Sequence, residues 1–161
     1  PDMLVIGKGL GGGVFPMAAL LANERLDIIG DRALGHYTHE KSSVGCAAAL
    51  ATLDCLIEDG LIDNAVNLGN AGLKQLEALK HKYPIIHEVR GLGLFFGIDL
   101  RLDGKPASDE ADAILYHSLS NGLSYKVGGG SILTLCPPLT ISHDDLTQAF
   151  NIIEDGINSL A

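Results

Sequence analysis

Tryptophan is absent from this 161-residue chain, and only four Tyr and four Phe are present. A core must therefore be built from Ala, Leu, Ile and Val rather than from large rings. Cysteine is scarce too. Cys46, Cys55 and Cys136 do not make a disulfide framework, and the first two stand on roughly opposite faces of one expected helix. All three read as reduced thiols of a cytosolic protein, packed as small core residues. The net charge is −9 and Lys and Arg never cluster. That excludes the cationic footprint a nucleic acid or an anionic membrane surface requires. No apolar stretch reaches the ~20 residues of a membrane-spanning helix; residues 44–57 come nearest, and Asp54 and Glu58 interrupt them. An ordinary beginning is missing as well. Pro1-Asp2 leads at once into an apolar run with no Met, signal peptide or helix cap, as in a truncated polypeptide or a proteolytic product.

What remains has globular proportions, 47% hydrophobic and 19% charged, at a length that suits one domain as a first estimate. Met3–Ile6 reads as a short buried strand. Met17–Ala22 is a second apolar run, and Asn23 can cap a short helix through Ile29. An alanine-rich helix from Val44 to Glu58 is apolar nearly all round, so burial on several sides is expected. A second helix runs to about Tyr83 and stops at Pro84, with Leu61, Ala65, Leu68, Gly72, Leu76 and Leu79 on one side. Residues 87–102 read as strand, glycine break, strand, closed by a turn at Asp103-Gly104. A helix over 109–120 ends at Asn121-Gly122. Short strands around Leu123–Val127 and Ser131–Leu135 flank three glycines. The last helix is signposted by Ser142 and Asp145, spaced as in a capping box, and by an apolar stripe of Leu146, Ala149, Phe150, Ile153 and Ile157.

The segment Gly7-Lys8-Gly9-Leu10-Gly11-Gly12-Gly13 is the least ordinary. It satisfies the G-x-G-x-x-G pattern of dinucleotide sites, with Asp27 twenty residues beyond Gly7. That fold needs a helix starting inside the motif, which Gly11-Gly12-Gly13 and Pro16 oppose. A phosphate-cradling loop fails outright, because Gly9 stands where Ser or Thr must follow the lysine. A solvated surface lysine is the plain alternative, and residue type alone favours it. Against it stands the glycine context, which implies unusual backbone angles and close approach. A lysine held and desolvated at the end of a buried strand becomes a nucleophile toward an aldehyde.

Pro1 through Gly13 resembles the cofactor-lysine segment of class III aminotransferases, with Gly7 where Ser is commonest. Three further stretches follow in the family's order. His36-Tyr37-Thr38 before Val44-Gly45-Cys46-Ala47-Ala48-Ala49-Leu50 is similar to its loop and alanine helix. Val89-Arg90-Gly91-Leu92-Gly93-Leu94 and Leu135-Cys136-Pro137-Pro138-Leu139-Thr140-Ile141 resemble its C-terminal signatures. The resemblance implies pyridoxal 5'-phosphate as cofactor, Lys8 as catalytic and cofactor-binding residue, and Thr38 as a donor to the cofactor phosphate. Lys8 would move a proton between the donor carbon and the cofactor as general base and acid. Lys41-Ser42-Ser43 departs from the Gly-Asn-Pro or Gly-His-Pro frequent there.

His36, His39 and Glu40 read as ordinary loop residues, and no metal site is expected. Arg90 offers a fork for a carboxylate, with domain packing the equal alternative. Thr134 stands where relatives acting on α-amino acids place an arginine. The resemblance therefore favours ω-amino acids or amines, with an oxo-acid acceptor, over α-carboxylate substrates such as ornithine.

The resemblance implies an α/β fold of the PLP-dependent fold type I, represented by the end of the large domain plus an α+β C-terminal small domain. Residues 1–43 are expected as the tail of the large PLP-binding domain, 44–76 as connecting helices and 77–161 as the small domain. The small domain's sheet should have three or four mostly antiparallel strands. The family's ring-nitrogen aspartate lies upstream of its lysine segment, so this chain alone should be catalytically poor. A homodimer, a cytoplasmic location and no nucleic-acid or membrane partner are expected of the complete enzyme. A non-catalytic remnant without cofactor is the alternative.

Overall fold

The computed structural model describes residues 1–32, 35, 38 and 42–160. They form two compact units, Pro1–Gly60 and Leu61–Ala161.

In the first unit, β1 (Met3–Ile6) and β2 (Ala19–Ala22) form an antiparallel ribbon with Met3 opposite Ala22 and Ile6 opposite Ala19. The glycine segment between them holds one short 3-10 turn, Gly9–Gly11. No α-helix starts there, so the dinucleotide pattern has no partner helix. Asn23 caps as expected, its side chain accepting from the Arg25 N–H, but what it caps is only a 3-10 turn, Glu24–Leu26. Helix α1 spans Ser43–Glu58 and is capped by Ser42.

Three expectations about burial fail in this unit. All four residues of β1 are exposed. Helix α1 buries only Gly45 and Ala49, while Val44, Leu50, Leu53 and Ile57 face solvent. Cys46 and Cys55 are exposed, as is Cys136 in the second unit, so none is a core residue. The reason is one of quantity: a two-stranded ribbon and a single helix cannot enclose an apolar layer.

The second unit has a core of its own. Helix α2 (Leu61–Lys82) leads into β3 (Ile86–Leu92), β4 (Phe95–Leu102) and the two-residue β5 (Lys105–Pro106). Helix α3 (Ser108–Ser120), strands β6 (Lys126–Gly128) and β7 (Ile132–Leu135), and helix α4 (His143–Asn158) follow. The strand order is β3-β4-β7-β6 with β5 beside β4, and every pairing is antiparallel. Asp103 (φ 51°) and Gly104 (φ 76°) make the tight β4–β5 turn, the left-handed geometry that matches strand twist.

Strand alternation sends Val89, Phe96, Ile98, Leu100, Leu133 and Leu135 into the core. Against them lie Leu76 of α2, Ala111 and Ile114 of α3, and the predicted α4 stripe of Leu146, Phe150, Ile153 and Ile157. Phe96 and Phe150 meet edge to face with ring centres 5.6 Å apart. Gly72 seats that pair, since a Cβ there would stand 2.8 Å from the Phe96 ring. Ser142 caps α4 through the Asp145 N–H at 3.0 Å. Among the described residues of this unit no helix covers the opposite face of the sheet, and Leu92 and Phe95 are 87% and 57% exposed.

Candidate functional site

Lys8 follows the last residue of β1 by two positions, and its backbone is the notable feature of the first unit. Its φ of 55° and ψ of −71° lie in a region that side chains other than glycine rarely enter. Gly9 N–H donates to the Gly7 carbonyl at 2.7 Å, which closes a γ-turn of the rare, strained hand around Lys8. Such strain persists only where surroundings over-determine it, and it concentrates at functional positions.

Those surroundings are visible. Gly11 is buried, and a Cβ on it would stand 3.3 Å from the Met17 Cβ. Gly12, at φ +64°, lies against α1 so closely that a Cβ would meet the Thr52 hydroxyl at 2.6 Å. Gly45 of α1 in turn receives Met17 and Phe15, each 2.9 Å from a hypothetical Cβ. Three glycines thus let the loop lie flat on the helix. The Thr52 hydroxyl donates to the Ala48 carbonyl at 2.8 Å, so it cannot swing freely from the loop. Sequence reasoning missed Thr52, because a helical threonine carries no positional signal until the loop is seen against it.

The Lys8 side chain is exposed. The desolvating strand end expected for it is therefore not supplied by the described residues. Thr38 sits in an exposed turn, and no hydrogen bond joins it to Lys8 among the described residues. His36, Tyr37, His39, Glu40 and Lys41 lie outside the described residues.

The second candidate surface is the open sheet face of the second unit. Arg90 pairs with Gly97, Gly97 with Thr134, and Thr134 with Lys126, so these four form one row across four strands. The Arg90 side chain lies over Gly97: a Cβ there would be 3.6 Å from Arg90 Cγ and 3.8 Å from Nε. A cavity of about 430 Å³ follows the first three of these, lined by Arg90, Leu92, Phe95, Gly97, Gly129 and Thr134 among others, with Lys126 next in the row but outside its lining. Arg90 also donates to Glu88 at 2.7 Å, both side chains being 49% exposed. In the neighbouring row the buried Asp99 accepts from Arg101 at 3.0 Å and lies 3.4 Å from the Ser131 hydroxyl. Lys126 and Gly97 were not singled out in the sequence, since only strand register shows that they flank Thr134.

The first unit thus offers a strained lysine on a glycine loop after a strand, and the second offers an open sheet face over a cavity. The model of the class III aminotransferases matches residues 1–157, and the chain belongs to that family. Its fold is accordingly the α/β fold type I of PLP-dependent transferases. The chain is 42% identical over 160 residues to an (R)-1-hydroxy-2-aminoethylphosphonate ammonia-lyase of Vibrio splendidus (strain 12B01), covering 98% of this chain and 33% of that protein. Among solved structures, an acetylornithine aminotransferase from Elizabethkingia anophelis superposes with a TM-score of 0.90 at 34% identity, covering 99% of this chain and 39% of that one. An amine transaminase from an uncultivated Pseudomonas species, in its PLP-bound form, gives a TM-score of 0.90 at 29% identity, covering 100% and 39%. The chain spans about a third of the length of the curated relative and under two fifths of each solved one.

Proposed function

We propose that this chain contributes the amine-bearing loop and the small domain of a pyridoxal-phosphate-dependent enzyme that transfers an amino group from an ω-amino acid or amine to an oxo acid. One observation carries this reading. Lys8 is held in a strained γ-turn by glycines that only fit because nothing projects from them. An exposed amine on so constrained a backbone suits an aldehyde-bearing cofactor, which needs a nucleophile that is reachable and fixed.

When bound, the cofactor supplies a sink for the electron pair left at the carbon beside the amine. Lys8 would be the residue that holds it, and its amine would serve as the general base and acid for the substrate proton. The Thr38 hydroxyl would donate to the cofactor phosphate. Residues 1–43 act as the tail of the cofactor domain, 44–76 as connecting helices and 77–161 as the small domain, within a cytoplasmic homodimer. Thr134 leaves no guanidinium at its own position for an α-carboxylate, which favours substrates whose amine is distal to the acid. In isolation the 161 residues are expected to be inactive.

A second reading keeps the cofactor and changes the outcome. The 42% identity to the Vibrio ammonia-lyase exceeds the 34% to the acetylornithine aminotransferase, which favours release of ammonia from a hydroxylated aminoalkyl substrate. Both readings are tested on the full-length, cofactor-loaded protein. Transfer of the amino group to an added oxo acid supports the first; free ammonia without any acceptor supports the second. A protein that does neither with any ω-amine, and takes up no cofactor, is the remnant instead.

A further inference from the structure

We infer that Arg90 and Thr134, with Lys126 beyond them, form a receptor for a tetrahedral oxyanion, the phosphonate or phosphate end of an amino-bearing substrate. The inference deepens the proposed function and rests on its reading of the substrate as an amine.

The receptor follows from strand register. Arg90, Gly97, Thr134 and Lys126 face the same way in one row across β3, β4, β7 and β6, so two cations flank a hydroxyl. Because Gly97 has no side chain, Arg90 lies across β4 toward Thr134 and lines the same cavity of about 430 Å³. Gly128 and Gly129 keep the far wall low, and a Cβ on Gly128 would reach the Thr134 hydroxyl at 3.5 Å.

The charges around this row sort themselves. Asp99 is engaged by Arg101. Glu88 engages Arg90, but half-exposed on both sides, and such surface pairs are weak and readily exchanged for a better acceptor. Lys126 makes no ion pair among the described residues. The row therefore holds more positive charge than its carboxylates neutralise, in a chain whose net charge is −9.

A tetrahedral dianion uses this arrangement more fully than a carboxylate does. Two of its oxygens accept from the guanidinium fork, the third accepts from the Thr134 hydroxyl, and its second negative charge faces Lys126. A carboxylate has two oxygens and one charge, and leaves the hydroxyl and the lysine unused. Among the described residues the Thr134 hydroxyl has only the Ile132 carbonyl at 3.4 Å, a long bond that a charged acceptor displaces.

The test titrates the ¹⁵N-labelled chain with methylphosphonate, inorganic phosphate and acetate, following backbone amide shifts. Saturable shifts at Gly97, Gly128 and Thr134 are expected with the first two, with acetate roughly tenfold weaker. Arg90→Gln should weaken methylphosphonate by at least about tenfold, and Thr134→Val by less. Should Arg90→Gln lose spectral dispersion, Arg90→Lys keeps the charge without the fork and is expected several-fold weaker. No saturable shift at these amides, binding of acetate as tight as methylphosphonate, or unchanged binding in the folded Arg90 variant overturns the receptor. A site that accepts inorganic phosphate but refuses both methylphosphonate and methyl phosphate overturns its assignment to a substrate. Borohydride labelling of Lys8 in the cofactor-loaded protein reads the proposed function separately, so loss of one result is not mistaken for loss of the other.

Discussion

Replacing Gly69 by alanine sets two effects of opposite sign against each other. In an ordinary helix interior the change is favourable by about 1 kcal/mol, because glycine loses more backbone freedom on folding. Here, α2 rests on the turn between β3 and β4. An alanine Cβ at position 69 would stand 2.4 Å from the Gly93 carbonyl oxygen and 2.6 Å from its carbon, roughly 1 Å inside ordinary contact. The obstacle is backbone, and Gly93 is itself at φ +54°, so the turn has little room to yield. Overpacking of this kind costs typically 1–3 kcal/mol; taking the upper end against the propensity gain leaves a net loss of about 2 kcal/mol. For a unit of about a hundred residues that lowers the melting temperature by about 8–16 °C. Thermal unfolding followed by far-UV circular dichroism measures it, with Ala78→Gly on the exposed side of α2 calibrating the propensity term. A Gly69→Ala protein that melts at or above the wild-type temperature refutes the claim that this contact fixes the helix on the hairpin.

Gly12→Ala meets both a left-handed backbone and the Thr52 hydroxyl at 2.6 Å, so it should destabilise the loop by about 1–3 kcal/mol; enhanced proteolysis within residues 7–14 reports it. Arg101→Ala strips the buried Asp99 of its ion pair, and a loss of about 2 kcal/mol in urea unfolding is expected. Glu154 is held below the usual carboxylate range, first by the Lys82 hydrogen bond and then by Tyr83. Its contribution is therefore present above the ordinary glutamate value and lost as pH falls through its lowered folded value, so wild type and Glu154→Gln should converge in stability at acid pH. Burial pushes the Tyr125 hydroxyl up, against a smaller opposite pull from Ser118. The folded chain resists an ionisation that the unfolded chain undergoes near the ordinary tyrosine value; stability should fall as pH rises past it, and Tyr125→Phe should remove that part of the fall.

The elements of the second unit could be read from the chain because local and global signals agree there. Ser142 with Asp145, the α4 stripe and the Asp103-Gly104 turn each demand one local structure and receive it. In the first unit the same periodicity arguments located β1 and α1 but misjudged their burial. A hydrophobic pattern records that a face is made to be covered, and says nothing of whether the cover lies within the same residues. Lys8 could be singled out as a candidate from its glycine context and its family resemblance. The strain at Lys8 was not, since φ is set by the loop's fit onto Thr52, Met17 and Phe15. The row from Arg90 to Lys126 was equally hidden, because strand register joins residues far apart in sequence.

The proposed function requires Lys8 to be the amine that holds the cofactor. Incubating the full-length protein with pyridoxal phosphate, reducing it with borohydride and mapping the peptides by mass spectrometry tests this directly. A pyridoxyl group is expected on Lys8 in near-stoichiometric yield, with none on the Lys8→Ala protein beyond background. Label spread evenly over the other lysines, or unchanged in yield when Lys8 is replaced, contradicts it.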